Sequence, residues 1–447
     1  MLIDGKLCPS GSGRWLTAID PSSEEVLGRV PDGTDDDVLL AVAAAERAAG
    51  PWAATPALQR AVLVRELATR ALQRADELLE LEVRDTGNTR RRMVRDVAMA
   101  TDMLQYYAGL ALEVKGETVP SSSTGLHLSV REPYGVVGRI LAFNHPFYFA
   151  ASRLAAPLIA GNTVVLKPSE DAPLSTTVLA ELCAEIFPPG VVNIVTGTGR
   201  EAGAALVRHP RVKRLTFIGS VPTGREIQRL AAASAVKHVS LELGGKNPMV
   251  VFGDADPERV AAAAVDGMNF GHQGQSCGST SRLLLHEDLY DEVLARVVDK
   301  VSALTVGDPM SNATDMGPLN SARHLERVVG HVQAAHEDGA ELMTGGERPS
   351  GEQFQRGFWL QPTVFAGVTP EMRLFREEVF GPVLAVSRWS DEDDVVGMAN
   401  GVDYGLTASI WTNDLNKALV TARAIQAGYV WVNGNSTHFP GTSFGGR

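Results

Sequence analysis

Thr163-Val164-Val165-Leu166-Lys167-Pro168-Ser169-Glu170 is a short apolar run that stops at a lysine and a proline. A run of this length, rich in β-branched residues and bounded by turn formers, reads as a strand buried on both faces. Outward from it, strand and helix alternate. Ser175 to Ile186 reads as a helix, Val191 to Val195 as a strand and Glu201 to Val207 as a helix. Arg214 to Ile218 follows as a strand, Thr223 to Ala233 as a helix and His238 to Leu243 as a strand. Beyond Pro248 the beat continues with strand 249–252, helix 257–270, strand 281–286 and helix 288–304. Such alternation predicts an α/β fold of parallel sheets with crossover helices. Gly244-Gly245 is the natural place for the chain to leave one sheet for the next.

The first 33 residues read as short strands and turns. Thr34, followed by three aspartates, opens a helix that Gly50-Pro51 is expected to end. Helical blocks follow over 55–85 and 90–112, the Arg90-Arg91-Arg92 run reading as a solvated helix start. Leu126 to Arg131 alternates as a half-exposed antiparallel strand does. With Pro133-Tyr134-Gly135 as its turn and Val136 to Leu141 as its partner, it is expected to project as an arm that pairs with another subunit.

The chain has 447 residues, a net charge of −12 and no long basic run, which argues against nucleic acid or an anionic membrane as partner. Its three cysteines, Cys8, Cys183 and Cys277, imply no disulfide framework and fit a reducing compartment. The N-terminus shows no leader, and no apolar run has the length of a membrane span, so the expected location is cytoplasmic. The histidines show no metal-ligand spacing, and no metal is expected.

Two residues carry the chemistry. Glu242 lies between Leu241 and Leu243, a setting in which a carboxylate is costly to bury. Cys277 is framed by Gly274, Gln275, Ser276 and Gly278, which are not core neighbours. Together they read as a general base and a thiol nucleophile, with a tight turn or helix start after Cys277 to favour the thiolate. Cys183 lies on an apolar helix face and reads as structural. Asn144, in Phe143-Asn144-His145-Pro146, is either an oxyanion donor or a turn former.

The strand-end motifs suit a nucleotide but also have plainer readings. Lys167 and Glu170 would bond ribose hydroxyls, or simply pair with each other on the surface. Gly219, Ser220 and Gly224 lie where a strand ends and a helix begins, a geometry suited to pyrophosphate. Gly197-Thr198-Gly199-Arg200-Glu201-Ala202 matches a dinucleotide fingerprint but lacks the later acidic residue, so it reads equally as a glycine-rich turn.

Taken together, Phe143-Asn144-x-Pro146, Lys167 to Glu170, Phe217 to Gly224, Leu241 to Lys246 and Gly274 to Cys277 resemble the NAD(P)-dependent aldehyde dehydrogenase superfamily. Glu377 to Pro382, Asp403 to Leu406 and Phe444 to Arg447 extend the resemblance over nearly the whole chain. The resemblance implies a Rossmann-like cofactor domain (1–114 and 135–243), an α/β catalytic domain (244–434), a small β oligomerisation arm (115–134) and a return segment (435–447). It implies oxidation of a small-molecule aldehyde to the acid with NAD, or possibly NADP, by a homodimer or homotetramer. Cys277 would be the nucleophile, Glu242 the general base and Asn144 the oxyanion donor. Lys167 and Glu170 would hold the adenosine ribose, Gly219, Ser220 and Gly224 the pyrophosphate, and Glu378 and Phe380 the nicotinamide riboside.

The chain departs from the family pattern at Ala142-Phe143, where Pro-Trp is usual, and at His145 and Arg153. The expected substrate pocket comprises His145, Tyr148, Phe149 and Phe439. The chain ends at Arg447 where the family usually runs on, so a truncated return segment is expected. A CoA-acylating relative is disfavoured by Glu242, and a cysteine hydrolase by the lack of a matching His/Asn context. A non-catalytic relative is disfavoured by the intact Cys277, Glu242 and Asn144.

Overall fold

The computed structural model describes residues 1–447, the side chain of Asp393 excepted. The chain divides into two compact units. The first comprises Met1–Ala18, Val26–Asp85 and Met93–Leu241, and the second Ile19–Glu25, Thr86–Arg92 and Glu242–Arg447.

The first unit is built on a seven-stranded sheet. In chain order its strands are β1 (Leu2–Ile3), β2 (Lys6–Leu7), β3 (Val136–Ile140), β4 (Thr163–Lys167), β5 (Val192–Ile194), β6 (Val212–Ile218) and β7 (His238–Glu242). They lie in the order β7-β6-β3-β4-β5-β1-β2. The β6, β3, β4 and β5 pairings are parallel, and β1 adds an antiparallel edge. β3 and β4 are buried along their whole length, which explains why their sequences do not alternate.

The helices of this unit are α1 (Asp35–Ala54), α2 (Ala57–Gln73), α3 (Ala75–Thr86), α4 (Arg90–Gly109), α5 (Pro146–Ile159), α6 (Ser175–Ile186), α7 (Ala204–Arg208) and α8 (Val221–Ser234). Of these, α5 to α8 are the crossovers. Leu67, Leu104, Phe147, Leu158 and Leu179 meet Val164 and Leu166 of β4 in one core.

In the second unit a seven-stranded sheet has the order β10-β11-β12-β9-β8-β13-β14. These strands are β8 (Pro248–Val251), β9 (Arg282–His286), β10 (Glu341–Thr344), β11 (Thr363–Ala366), β12 (Val383–Trp389), β13 (Thr407–Trp411) and β14 (Tyr429–Val432). All its pairings are parallel except that of β10 with β11. Alternate side chains feed two cores. Val250, Leu284, Ala385 and Ile410 join one, while Met249, Val251, Leu283 and Leu285 join the other.

Three local expectations fail for physical reasons. Gly50-Pro51 does not end α1, which runs on to Ala54. Tertiary contacts hold the extra turn: the Trp52 indole donates to the Leu158 carbonyl at 3.2 Å, and the buried Arg60 donates to the carbonyls of Ala53 and Thr55. Block 55–85 is two helices that break at Arg74, whose guanidinium is claimed by Glu77 and Glu181, at 2.6 Å from each. The projecting hairpin pairs Leu126–Ser129 with Glu117–Pro120, not with 136–141, because Val136–Ile140 is fully buried in the main sheet. Every residue of the hairpin strands is exposed.

One buried acid ties helices together in the first unit. Glu82 on α3 accepts the Phe147 N–H at 3.1 Å, at the start of α5. Burial, with Asp96 and Asp85 nearby, pushes its carboxyl up to about 8 from an ordinary 4.5. Between those values the folded chain keeps a proton that the unfolded chain has lost, so stability falls as pH rises through that window. Glu82→Gln keeps an acceptor and removes the titration. Its melting temperature should exceed that of the wild type at pH 8.5 and match it near pH 4.5. A difference independent of pH would contradict this account.

Candidate functional site

In the first unit the candidate residues share one sheet edge. β3 and β4 align Ile140 with Lys167, and β6 and β3 align Phe217 with Ile140. Three segments therefore leave the sheet side by side at the carboxyl ends of the strands, the usual ligand edge of a parallel sheet. One carries Asn144, one Lys167 and Glu170, and one Gly219 and Ser220.

Lys167 is almost wholly buried. Its ammonium donates to the Pro168 carbonyl at 2.7 Å and to Glu170 at 3.2 Å, which uses two of its three donors. Burial lowers its pKa, and Glu170 opposes that shift. Burial would raise the Glu170 carboxyl, but the Lys167 charge and the Gly199 N–H, 3.1 Å away, hold it below its ordinary value. The lysine and the glutamate are thus a pair at the sheet edge. The fingerprint-like Gly197-Thr198-Gly199 serves this pair, since its Gly199 N–H is bound to Glu170.

Ser220 begins α8 in extended backbone, and its hydroxyl donates to Thr223 at 3.0 Å without capping the helix. The first-turn N–H groups receive no side-chain cap, an arrangement that suits an anionic ligand. A Cβ at Gly219 would overlap the Phe217 ring, so the turn requires glycine. Asn144 is buried at the mouth of α5. Next to it His145 meets Asp96 of α4 at 2.5 Å and packs edge-on to Phe149 at 5.3 Å and Tyr148 at 6.4 Å. Tyr148 is half-buried, whereas Phe149 belongs to the core.

In the second unit Glu242 is half-buried, as are Leu241 and Leu243, so the leucines do not enclose it. Its carboxylate lies toward the C-terminal segment, about 4.0 Å from where a Cβ on Gly445 would sit. Phe439 is 66% exposed. The neighbouring His438 packs instead with Tyr429, Trp431 and Phe444, at ring distances from 4.6 to 5.8 Å.

Cys277 is half-buried, outside any disulfide, in a tight turn closed by Ser279 N–H to Ser276 C=O at 3.1 Å. No helix starts there. The approach to it is strained: Asn269, Gln273 and Gly274 all have positive φ. Amide side chains hold this loop, a role not assigned from the sequence. Gln275 donates to Gln273 at 2.7 Å and accepts the Asn320 N–H, and Gln273 donates to the Gly87 carbonyl at 2.7 Å. Asn247 bonds the carbonyls of Cys277 and Ser279. The sequence signal for the glutamines was their closeness to Cys277, and Asn247 gave none.

Glu378 accepts the Gly245 N–H at 3.0 Å, and burial raises its pKa. Phe380 has a left-handed φ of 54°, and its carbonyl bonds the His324 imidazole at 2.7 Å. Lys246 is buried without a hydrogen-bond partner among the described residues. Burial and the nearby Arg282 push its ammonium down to about 7. Arg282 itself is fully buried, bonds the carbonyls of Lys246, Met398 and Ala399, and lies over the Phe375 ring.

A parallel sheet with an uncapped helix start at its strand ends is the architecture of a nucleotide-dependent enzyme. The aldehyde dehydrogenase family model matches residues 8–447. The chain is 44% identical to the aldehyde dehydrogenase tropH of Talaromyces stipitatus, over 97% of this chain and 87% of that protein. It is 42% identical to the hydroxyisobutyraldehyde dehydrogenase of Mycolicibacterium austroafricanum, over 100% of this chain and 88% of that protein. The crystal structure of an NAD-dependent aldehyde dehydrogenase from Sinorhizobium meliloti superposes with a TM-score of 0.96 at 40% identity, covering 100% of this chain and 89% of that one. The chain belongs to the aldehyde dehydrogenase family. It is an NAD(P)-dependent enzyme that oxidises aldehydes to carboxylic acids.

Gly244 shows how tightly Glu378 is seated. A Cβ there would overlap the Glu378 carboxylate. Gly244→Ala should therefore swing Glu378 away from the Gly245 N–H and, on the expectation that Glu378 holds the nicotinamide ribose, weaken NAD binding about tenfold, the worth of one charge-assisted hydrogen bond. Titration calorimetry with NAD reads this, and an unchanged Kd would refute it.

Proposed function

We propose that Cys277 is the nucleophile, Glu242 the base that activates water and Asn144 an oxyanion donor. The observation that carries this reading is the cysteine itself: a half-buried thiol in a tight turn held by side-chain amides and reached through the strained backbone of Asn269 and Gln273. Strain of that kind is a cost that a merely structural cysteine gives no reason to bear. The Cys277 sulfur adds to the aldehyde carbon, forming a C–S bond and moving an electron pair onto oxygen. Asn144 donates to that oxygen. The chemistry that a bound nicotinamide supplies is acceptance of the hydride that leaves a thioester on Cys277. Glu242 then takes a proton from water, hydroxide adds to the thioester, and the thiolate departs as the acid forms.

For the cofactor, Lys167 and Glu170 hold the adenosine ribose, the start of α8 at Gly219, Ser220 and Gly224 receives the pyrophosphate, and Glu378 and Phe380 meet the nicotinamide riboside. The paired Lys167–Glu170 and the uncapped helix start both fit a dinucleotide. The Glu170 charge disfavours a 2′-phosphate, so NAD is the preferred cofactor. The first unit supplies the adenosine and pyrophosphate contacts, and the second the nucleophile and the base. His145 and Tyr148 border the aldehyde, and the exposed Phe439 is a further candidate for its pocket. The name of the Mycolicibacterium relative puts branched hydroxyaldehydes in the first substrate panel.

The exposed hairpin carries Val119, Leu126 and Leu128, all more than half exposed, and is the surface through which copies form a dimer or tetramer. Sedimentation as a monomer would refute that. The cytoplasm suits three thiols outside any disulfide. No helix among the described residues is long and apolar enough to cross a membrane.

One kinetic series tests the catalytic roles. Cys277→Ala should give no aldehyde-dependent NADH at all. Glu242→Gln should keep a pre-steady-state burst of one NADH per subunit and then turn over at least ~100-fold more slowly, as expected for loss of a general base. Burst and steady-state rates falling together would remove Glu242 from hydrolysis. The same assay with both cofactors checks the preference: kcat/KM should favour NAD, and a higher value with NADP would contradict the role given to Glu170.

A further inference from the structure

We infer that Asn247 is a positioning residue for Cys277, setting the nucleophile turn through its side-chain amide. The inference rests on the reading of Cys277 as nucleophile. Asn247 is 2% exposed. Its Nδ2 donates to the Cys277 carbonyl at 2.7 Å and to the Ser279 carbonyl at 2.8 Å. Its Oδ1 accepts the Thr407 N–H at 3.1 Å. Both amide hydrogens and the carbonyl oxygen are therefore engaged.

This pattern fixes the orientation of the amide. Flipped, the Oδ1 would face two carbonyl oxygens and the Nδ2 would face an N–H, replacing three attractive contacts by three repulsive ones. The partners differ in rigidity. Thr407 starts β13, which pairs with β8, and the Asn247 carbonyl accepts the Arg282 N–H at 3.2 Å at the start of β9. One side of the clamp is thus anchored in the middle of the sheet. The other side is the 276–279 turn, closed by Ser279 N–H to Ser276 C=O at 3.1 Å and followed by Ser281 N–H to Ser279 C=O at 2.9 Å. The Gly245 backbone crosses so closely that a Cβ there would lie 2.8 Å from the Cys277 carbonyl oxygen. The side chain of Asn247 is what transfers the order of the sheet to the turn.

Positioning and stability make different predictions. Without the clamp the half-buried thiol gains freedom, so it meets a small external reagent more often but the bound aldehyde less productively. Asn247→Ala should raise the rate at which iodoacetamide alkylates Cys277 in the cofactor-free enzyme several-fold. It should lower kcat about 100-fold, the scale expected for a reacting group displaced by an ångström. KM for the aldehyde and the alkylation of Cys8, followed by peptide mapping, should stay unchanged. Asn247→Ser, which retains one donor, should fall between the wild type and Asn247→Ala in both readouts. Opposite movement of alkylation and turnover supports the inference, and any other pairing overturns it. Failure of both variants to fold also overturns it, since Asn247 would then serve stability. If the wild type made no NADH from any aldehyde, the catalytic reading would fail while the alkylation comparison still tested the clamp.

Discussion

A backbone that leaves a sheet to present a reactive side chain has carbonyls with no ladder to bond. Left unsatisfied when buried, each costs about 1–3 kcal/mol. Around Cys277 backbone N–H groups meet that constraint along the approach, and a side-chain amide meets it at the Cys277 and Ser279 carbonyls. Asn247, Gln273 and Gln275 are buried, and each donates to a carbonyl oxygen, of the backbone or of another amide. Asn269 does the same, bonding the Gly267 carbonyl while its own backbone lies in the left-handed region. The strain of the loop is tolerable because these amides overdetermine it.

The same logic appears in a different form at the sheet edge of the first unit. There the polar groups are charged and paired. Lys167 is buried at the end of a wholly apolar strand, and its ammonium is met by Glu170, which in turn takes the Gly199 N–H. A motif that looks like an independent phosphate loop is thus one arm of a small network centred on a carboxylate. Next to it, the start of α8 receives no side-chain cap.

The strands and crossover helices were legible because burial on both faces leaves an unmistakable apolar run, as in Thr163–Lys167, and because glycine and proline punctuate the turns. Cys277, Glu242 and the strand-end residues stood out for the opposite reason, as thiol or charged groups for which the local pattern offers no packing role. What the sequence concealed depends on contacts distant along the chain. Pro51 stays inside α1 because Trp52 and Arg60 reach Leu158 and Thr55, and no local pattern announces that. The partner of Leu126–Ser129 was misassigned because Val136–Ile140 is an equally good strand whose burial is decided by its neighbours in the sheet. Asn247 went unnoticed because a lone asparagine has no signature until its three partners are in place.

Gly244 and Gly245 bear on how this enzyme can change by mutation. At both positions a single methyl group would overlap a functional neighbour, the Glu378 carboxylate in one case and the Asn247 amide in the other. Half-exposed Leu241 and Leu243, a few residues away, meet no comparable limit. The acidic strand end is therefore a patchwork of tolerance, free to vary in its hydrophobic residues and closed to variation in its smallest ones. A random mutant library selected for activity should be depleted at the two glycines before it is depleted at either leucine.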